Sequence, residues 1–346
     1  MKVLHVIGTF NNGGIENLLV NLTRQQVNQG LEVGLMITTN SYSEAMIKAL
    51  DSRVSVLYVQ KPVGNHNPFY FFKINWMYHK FSPDILHLHS PYTTPYFKSL
   101  GRKEKRFVHI HNNVDIYGYD KSVNQYLAIS QCVYDVYKAH INNDYCTICY
   151  NGIDFYAVKE KTIYKDKPVR MVQVGRLLME VKGQDITLQA LEMLIKDGCN
   201  LRLEFWGNGP DIGRLRNMVK EKGLESYVKV AGDVDNNYIC NHLCDFDIAV
   251  YSSRHEGLGI AAIEAMGAGV PVVLSNVDGH KEVSENGAVC SLFKSEEPHS
   301  LADEIKKITD NYQEAIALSH KAKKYVRDSF SIEKMASQLL NIYQNY

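Results

Sequence analysis

Short runs of β-branched and aliphatic residues alternate with amphipathic stretches along the whole chain, and the alternation starts afresh midway. "KVLHVIG", "EVGLMITT", "VSVLYV", "DILHLHS", "RFVHIHN", "YLAIS" and "CTICYN" make up the first series. Between most of them lie helical patterns of about 10–17 residues, such as residues 15–29, which Gly30 ends. This order implies βαβ units and a parallel sheet with helices on both faces. "GIDFYAVKEKTIYKDKP" then interrupts the pattern with a charged, non-periodic stretch that reads as a linker near 154–168. A second series follows: "VRMVQVG", "LRLEFWG", "YVKVAG", "DIAVYSS" and "PVVLS". At 346 residues the chain has room for two cores. The expected fold class is α/β: two doubly wound Rossmann-like domains facing across a cleft. Residues 1–157 form the first, 158–328 the second, and 329–346 a closing helix. In that helix Ile332, Met335, Leu339, Ile342 and Tyr343 share one face.

Composition narrows the partners. Lys plus Arg and Asp plus Glu both number 38, so no net field would recruit nucleic acid. Residues 1–155 carry 14 basic against 11 acidic side chains, so an anionic surface would meet that half. No run approaches the ~20 apolar residues of a membrane span, and "MKVLHVIGTF" is too short an apolar region for a secretory signal. Seven scattered cysteines, an odd number, read as reduced thiols of a cytoplasmic protein. "CTIC" (Cys146, Cys149) resembles half a zinc knuckle, but Cys240 and Cys244 do not supply the other half at matching spacing. No metal is expected there.

Ligands of open parallel sheets bind beyond the carboxyl ends of the strands, so the loops that leave strands carry the chemistry. In "GTFNNGGIENLL", Gly13 and Gly14 precede a helix, where backbone N–H groups can approach an anion; a tight strand-to-helix turn needs the same residues. In "VGRLLMEVKGQD", Arg176 and Lys182 lie six residues apart between two glycines and can turn towards one diphosphate. "FWGNGPDIGRLR" has a G-x-G-x-x-x-G spacing that more simply shapes a turn before a helix.

"RHEGLGIAAIEAMGAG" carries the strongest signal. Residues Gly257, Leu258, Gly259 and Ile260 would turn backbone N–H groups out of a helix N-terminus, towards a phosphate or developing oxyanion. Glu256 sits in the loop within reach of sugar hydroxyls. Glu264 lies about one turn into a helix of small residues, a poor place for an idle carboxylate and a good one for a ribose diol. Histidines gather as well: His87 and His89 end one strand, His109 and His111 the next. Alternate residues share a strand face, so His89 and His111 can reach one loop edge; a polar contact to substrate fits them better than a metal.

At these residues the chain resembles the GT-B glycosyltransferases of family 4, a retaining group. The resemblance runs through "GTFNNGGIENLL", "HLHS", "HIHN", "LAIS", "NGID", "VGRLLMEVKG", "GNGP" and the E-x7-E of Glu256 and Glu264. It implies that Glu256 faces the donor sugar, Glu264 the ribose, and Arg176 with Lys182 the diphosphate. It further implies His111 beside the donor sugar, Gly14 near the phosphates, and a last helix that crosses back onto the first domain. The Arg176–Lys182 spacing is one residue longer than the commonest family pattern.

The expectation is a metal-independent transferase with no cofactor, a nucleotide-diphosphate sugar (a UDP-sugar by preference) as donor, and a glycan or polyprenyl-diphosphate-linked acceptor. A sugar-nucleotide epimerase of the same fold and a non-catalytic sugar-nucleotide-binding subunit are the alternatives. "NPFYFFKINWMYHKF" (67–81) and "KSLGRKEKR" (98–106) join aromatic and basic residues and suit an anionic membrane face. Periodicity would nevertheless turn most of the aromatics of 67–81 towards the sheet and leave 98–106 as a solvated basic loop.

Overall fold

The computed structural model describes residues 1–97, 104–111, 120–140, 145–165 and 169–346. It divides into two compact units. The first comprises Met1–Ile153 with Ile332–Tyr346, the second Asp154–Ser331.

The first unit is built on β1 (Lys2–Ile7), β2 (Glu32–Thr39), β3 (Ser55–Lys61), β4 (Ile85–Leu88), β5 (Lys105–Ile110), β6 (Gln125–Ala128) and β7 (Cys146–Ile148). They form one sheet in the order β3-β2-β1-β4-β5-β6-β7, and all its pairs are parallel. Strands covered on both faces can be apolar at nearly every position, as β4 and β6 are. The helix Gly14–Asn28 buries Leu18, Leu19, Leu22 and Val27. The C-terminal helix Ile332–Gln344 joins it in the same core through Ile332, Met335, Leu339 and Tyr343, so the apolar face read from the sequence is the buried one.

The second unit holds β8 (Arg170–Val174), β9 (Arg202–Trp206), β10 (Val228–Gly232), β11 (Ile248–Tyr251), β12 (Val272–Ser275) and β13 (Ser291–Phe293), ordered β10-β9-β8-β11-β12-β13 and again parallel. Strand β13 has only three residues, too few for a period to declare itself, and the sequence reading passed over it. In each sheet the strand order reverses beside the first strand of the unit, which opens a crevice at the carboxyl ends of its neighbours.

Three readings need correction. The charged stretch near 154–168 is not a loose linker within its described part. Phe155 and Val158 are buried, Tyr164 Oη donates to Gly269 O at 2.8 Å, and Lys161 is buried with its ammonium 3.4 Å from Asp247. Burial would raise the Asp247 carboxyl, but two backbone N–H donors (Val169, Arg170) and Lys161 hold it below its ordinary value. Hence the charges in this stretch tie it to the second unit.

The aromatic helix Pro68–Phe81 buries Ile74, Tyr78 and Phe81, yet Phe69, Phe72 and Trp76 remain 62%, 68% and 62% exposed. Spacings of three and four place these three on one outward ridge. Finally, Arg106 is not part of a solvated basic loop: it is buried, its guanidinium donates to Glu104 Oε1 at 2.8 Å and also to Phe97 O. Lys98, Arg102 and Lys103 lie outside the described residues.

Candidate functional site

The second unit concentrates its chemistry on the loops after β8 and β11. After β8 the chain forms the short helix Met179–Lys182 and turns at Gly183, whose φ of +63° lies in the left-handed region. A Cβ there would also lie 2.0 Å from Ser252 O, so only glycine lets this turn press against the end of β11. Hydrogen bonds complete the seam: Ser252 Oγ donates to Gly183 O at 2.6 Å, and Gln173 Nε2 donates to Lys182 O at 2.9 Å. Arg254, one residue before "HEG", forks onto Asp185 with both distances 2.9 Å and also donates to Met179 O. Bidentate pairing of this kind orients as well as binds.

The seam brings Lys182 to Glu256. Lys182 Nζ lies 2.6 Å from Glu256 Oε2, and Ser253 Oγ donates to the same oxygen at 3.1 Å. His280 Nε2 stands 3.8 Å away. Burial by itself would raise the Glu256 carboxyl, but the Lys182 ammonium and the Ser253 hydroxyl hold it below its ordinary value. The helix Asp278–Val283 approaches this closely because its second residue is Gly279, where a Cβ would lie 2.5 Å from Glu256 O.

Ser275 Oγ has one proton and donates it to Ser253 O at 2.6 Å, so His280 Nδ1 is the donor towards Ser275. The His280 Nε2 lone pair therefore faces the carboxylate and is buried without a hydrogen-bond partner. Burial lowers this imidazole to about 4.

Gly259 caps the helix Ile260–Gly267 in the left-handed conformation, and Glu264 is the fifth residue of that helix. Set among Ala262, Ile263, Ala265 and Met266, its carboxyl is pushed up by desolvation to about 7. Arg176 leaves β8 with an exposed side chain, while its carbonyl accepts from Gln184 Nε2.

In the first unit, Gly13 caps the helix Gly14–Asn28 in an extended conformation. The loop amides there already meet an anion: the Glu16 carboxylate accepts from the backbone N–H of Asn11 and of Glu16 itself. A Cβ at Gly13 would lie 2.4 Å from Glu16 Oε2. Burial raises this carboxyl above its ordinary value.

The histidines gather more closely than their spacing implied. His5 of β1 is paired with His87 of β4, and with His89, His109 and His111 they stack, His87 on His89 at 4.5 Å and His109 on His111 at 4.6 Å between ring centres. His5, His87, His89 and His109 are buried, His89 just beyond the end of β4. Two triads, His5–His87–His89 and His89–His109–His111, bring ring nitrogens within 4.8 Å of one another. The short contacts are His5 Nδ1 to His89 Nε2 at 2.9 Å and His89 Nδ1 to His111 Nε2 at 3.1 Å. Nitrogens around a tetrahedral zinc with bonds of ~2.0–2.1 Å stand roughly 3.3 Å apart, so these contacts have the length of shared protons. Desolvation lowers all five imidazoles, His5 and His109 to about 4.

The sequence singled out Glu256, Glu264, Lys182 and Arg176, and the fold joins Lys182 to Glu256. It did not single out Arg254, Ser253, Glu16 or the role of His280. A basic residue beside "HEG" was the available signal for Arg254; the others become visible only through contacts distant in sequence.

The family model described as glycosyl transferases group 1 matches residues 155–327, and that of Glycosyltransferase Family 4 matches residues 12–155. The chain belongs to the group 1 glycosyltransferases, with the GT-B fold. Among its relatives is the putative glycosyltransferase EpsF of Bacillus subtilis (strain 168), 23% identical across 99% of this chain and 96% of that one. The O-antigen biosynthesis glycosyltransferase WclY of Escherichia coli is 28% identical over 57% of this chain and 55% of its own. Anabaena Alr3699/HepE, solved in complex with UDP-glucose, superposes over the whole of both chains with a TM-score of 0.82 at 19% identity, a likeness of fold.

Proposed function

We propose that the protein transfers a sugar, with retention of anomeric configuration, from a UDP-sugar to a glycan or polyprenyl-diphosphate-linked acceptor in surface-polysaccharide assembly. The observation that carries this reading is the Lys182–Glu256 pair held at 2.6 Å beside Gly257–Ile260, with Glu264 in the helix that follows. A donor needs three things at such a place: acceptors for sugar hydroxyls, acceptors for a ribose diol, and positive charge for the diphosphate. Glu256 supplies the first and Glu264 the second. Lys182, Arg176 and the backbone N–H groups of Leu258, Gly259 and Ile260 supply the third.

The C1–O bond to the diphosphate breaks as the acceptor oxygen bonds to C1 on the same face. The acceptor proton passes to the departing phosphate oxygen. Charge on the leaving group is then the main demand on the protein, and fixed cations and amides meet it without a metal. His111 contacts the donor sugar, and Gly13 and Gly14 approach the phosphates once the Glu16 carboxylate yields the loop amides.

The solved relative holding UDP-glucose supports the choice of nucleotide, and the names of EpsF and WclY support the kind of pathway. A lipid-linked acceptor fits the exposed ridge of Phe69, Phe72 and Trp76, flanked by Lys73 and Lys80, the latter with its ammonium 5.2 Å from the Trp76 ring centre. Such a ridge suits the boundary between headgroups and acyl chains. Among the described residues no helix is long and apolar enough to cross a membrane.

Thermal stabilisation by a panel of UDP-, GDP- and ADP-sugars tests the donor. Proton NMR of the product's anomeric signal tests retention, and transfer in excess chelator tests metal independence. Stabilisation by GDP- or ADP-sugars alone, an inverted product, or activity restored only by a divalent metal overturns the corresponding part.

A further inference from the structure

His280 and Glu256 face each other as two acceptors. The imidazole keeps its proton on Nδ1, because Ser275 O can only accept and Ser275 Oγ gives its own proton to Ser253 O. Nε2 therefore turns a lone pair towards Glu256 Oε2, 3.8 Å away, and no hydrogen bond reaches it. Solvent does not relieve the opposition, since the ring is buried under the helix cap: a Cβ on Gly259 would lie 3.1 Å from its Cδ2 and 3.5 Å from its Nε2. A buried lone pair set against a carboxylate is unfavourable unless a cation stands by. Lys182 is that cation, 2.6 Å from the same carboxylate oxygen.

Lys182 has a second anion to serve. In the donor reading its ammonium meets the diphosphate, which carries more charge than one carboxylate. It is also the movable member of the group: its side chain is 28% exposed on a flexible stem, against 15% for Glu256, and His280 is buried. An ammonium drawn to the diphosphate leaves Glu256 desolvated without its counter-ion, a state that a protein interior resolves by moving a proton. His280 Nε2 is the place beside the carboxylate that can take one. With Nδ1–H already held by Ser275, the ring need not turn over to do so.

We infer that His280 is a reserve counter-ion for Glu256: donor binding draws Lys182 off the carboxylate, and His280 takes a proton from solvent at Nε2 and pairs with Glu256 in its place. The proton returns to solvent when the nucleoside diphosphate leaves and Lys182 swings back, so the cycle balances. Glu256 thereby stays ionised and aimed at the sugar while Lys182 serves the leaving group. His280 acts through Glu256 and is a positioning residue. Desolvation lowers the free ring to about 4; of the charges that face it, Glu256 raises it and Lys182 lowers it, and Ser275 O raises it. Departure of the ammonium and arrival of an anion therefore move the ring in the same upward direction. Lys281 and Asp278, on the same helix as His280, pair with each other at 3.4 Å on its exposed side. The inference rests on the reading that Lys182 meets the diphosphate.

Nitrogen NMR of the histidine rings at about pH 6.5 tests the exchange, with His280→Gln used to assign the His280 signals and calorimetry used to establish saturation with UDP. The free protein should show one protonated and one bare nitrogen at His280, and the UDP-saturated protein two protonated nitrogens. Lys182→Met should show the doubly protonated ring with no ligand present. Glu256→Gln should keep a neutral ring with and without UDP. A neutral ring in the UDP-saturated protein overturns the inference; joined to a protonated ring in Lys182→Met, it shows Lys182 still seated on Glu256 beside the bound diphosphate. A ring that UDP protonates in Glu256→Gln pairs with the phosphates instead and also overturns it. Absence of binding heat from UDP, GDP and ADP alike is a separate result, which removes the donor reading and the inference with it.

Discussion

Lys182 and Glu256 are 74 positions apart in the chain, yet their side chains meet at 2.6 Å. The pair gives each member a purpose beyond its own charge. Glu256 is kept ionised by the ammonium and by the Ser253 hydroxyl. Lys182 is held on the loop that a diphosphate would approach. Neither side chain is fully exposed, so truncating one leaves the other desolvated without its counter-ion.

Substitutions at the pair are therefore expected to be non-additive. Glu256→Gln and Lys182→Met should each lower kcat/KM about ten- to a hundredfold, the cost of losing a charge-assisted hydrogen bond. The double variant should lose clearly less than the product of the two. Steady-state kinetics of the four proteins form the cycle, and strictly multiplicative losses would show that the pair does not act as a unit.

Donor binding is expected to depend on pH through Glu264. Its carboxyl titrates near 7 in the folded protein, and a ribose diol donates to the ionised form. Affinity for a UDP-sugar, whose phosphates keep their charge through this range, should rise as pH goes from 6 to 8. Calorimetric titration of Glu264→Gln is expected to give weaker binding, about tenfold, with no such rise. An unchanged pH profile in that variant would detach Glu264 from the nucleotide.

Acid should destabilise the protein well above the range in which ordinary carboxylates titrate. His5, His109 and His280 are lowered to about 4, and His87, His89 and His111 also lie well below 6.5. Unfolding lets these rings return to about 6.5 and bind protons, so the unfolded state binds more protons between those limits. Stability is therefore fully present above about 6.5 and is lost as pH falls towards 4. Urea midpoints between pH 7.5 and 5 should drop steadily, with about three or more protons taken up on unfolding at pH 5. A flat midpoint over that range would mean that the rings are solvated.

Binding to anionic vesicles is expected to depend on the ridge of the helix Pro68–Phe81. Changing Phe69, Phe72 and Trp76 together to Ser removes three exposed aromatic side chains without touching Ile74, Tyr78 or Phe81 in the core. Co-sedimentation should weaken at least about tenfold, since each buried aromatic contributes on the order of 1.5–3 kcal/mol. Neutralising Arg106 is a poor test of the same idea, because its ion pair with Glu104 is buried. Equal binding by the triple variant would leave the acceptor side to a soluble glycan.

The periodicity of the chain determined the two doubly wound sheets, because strand and helix periods are written in neighbouring residues and each unit repeats them several times. The glycines and carboxylates of "HEGLGIAAIEA" were legible for the same reason: a strand exit, a left-handed cap at Gly259 and a glutamate one turn on are local features. Packing decided everything that depends on what lies across a seam. Lys182 could have been an independent cation until Gly183 pressed its turn onto Ser252 and brought it to Glu256. Gly279 could have been one more turn residue until it let His280 approach the same carboxylate. Phe72 and Ile74 read alike in a helical pattern, and only the placement of the helix left the first exposed and buried the second. His87 of β4 meets the Tyr343 hydroxyl of the last helix across 256 positions of sequence. Such contacts leave no period in the sequence, since the residues that make them need share nothing but a place in the folded core.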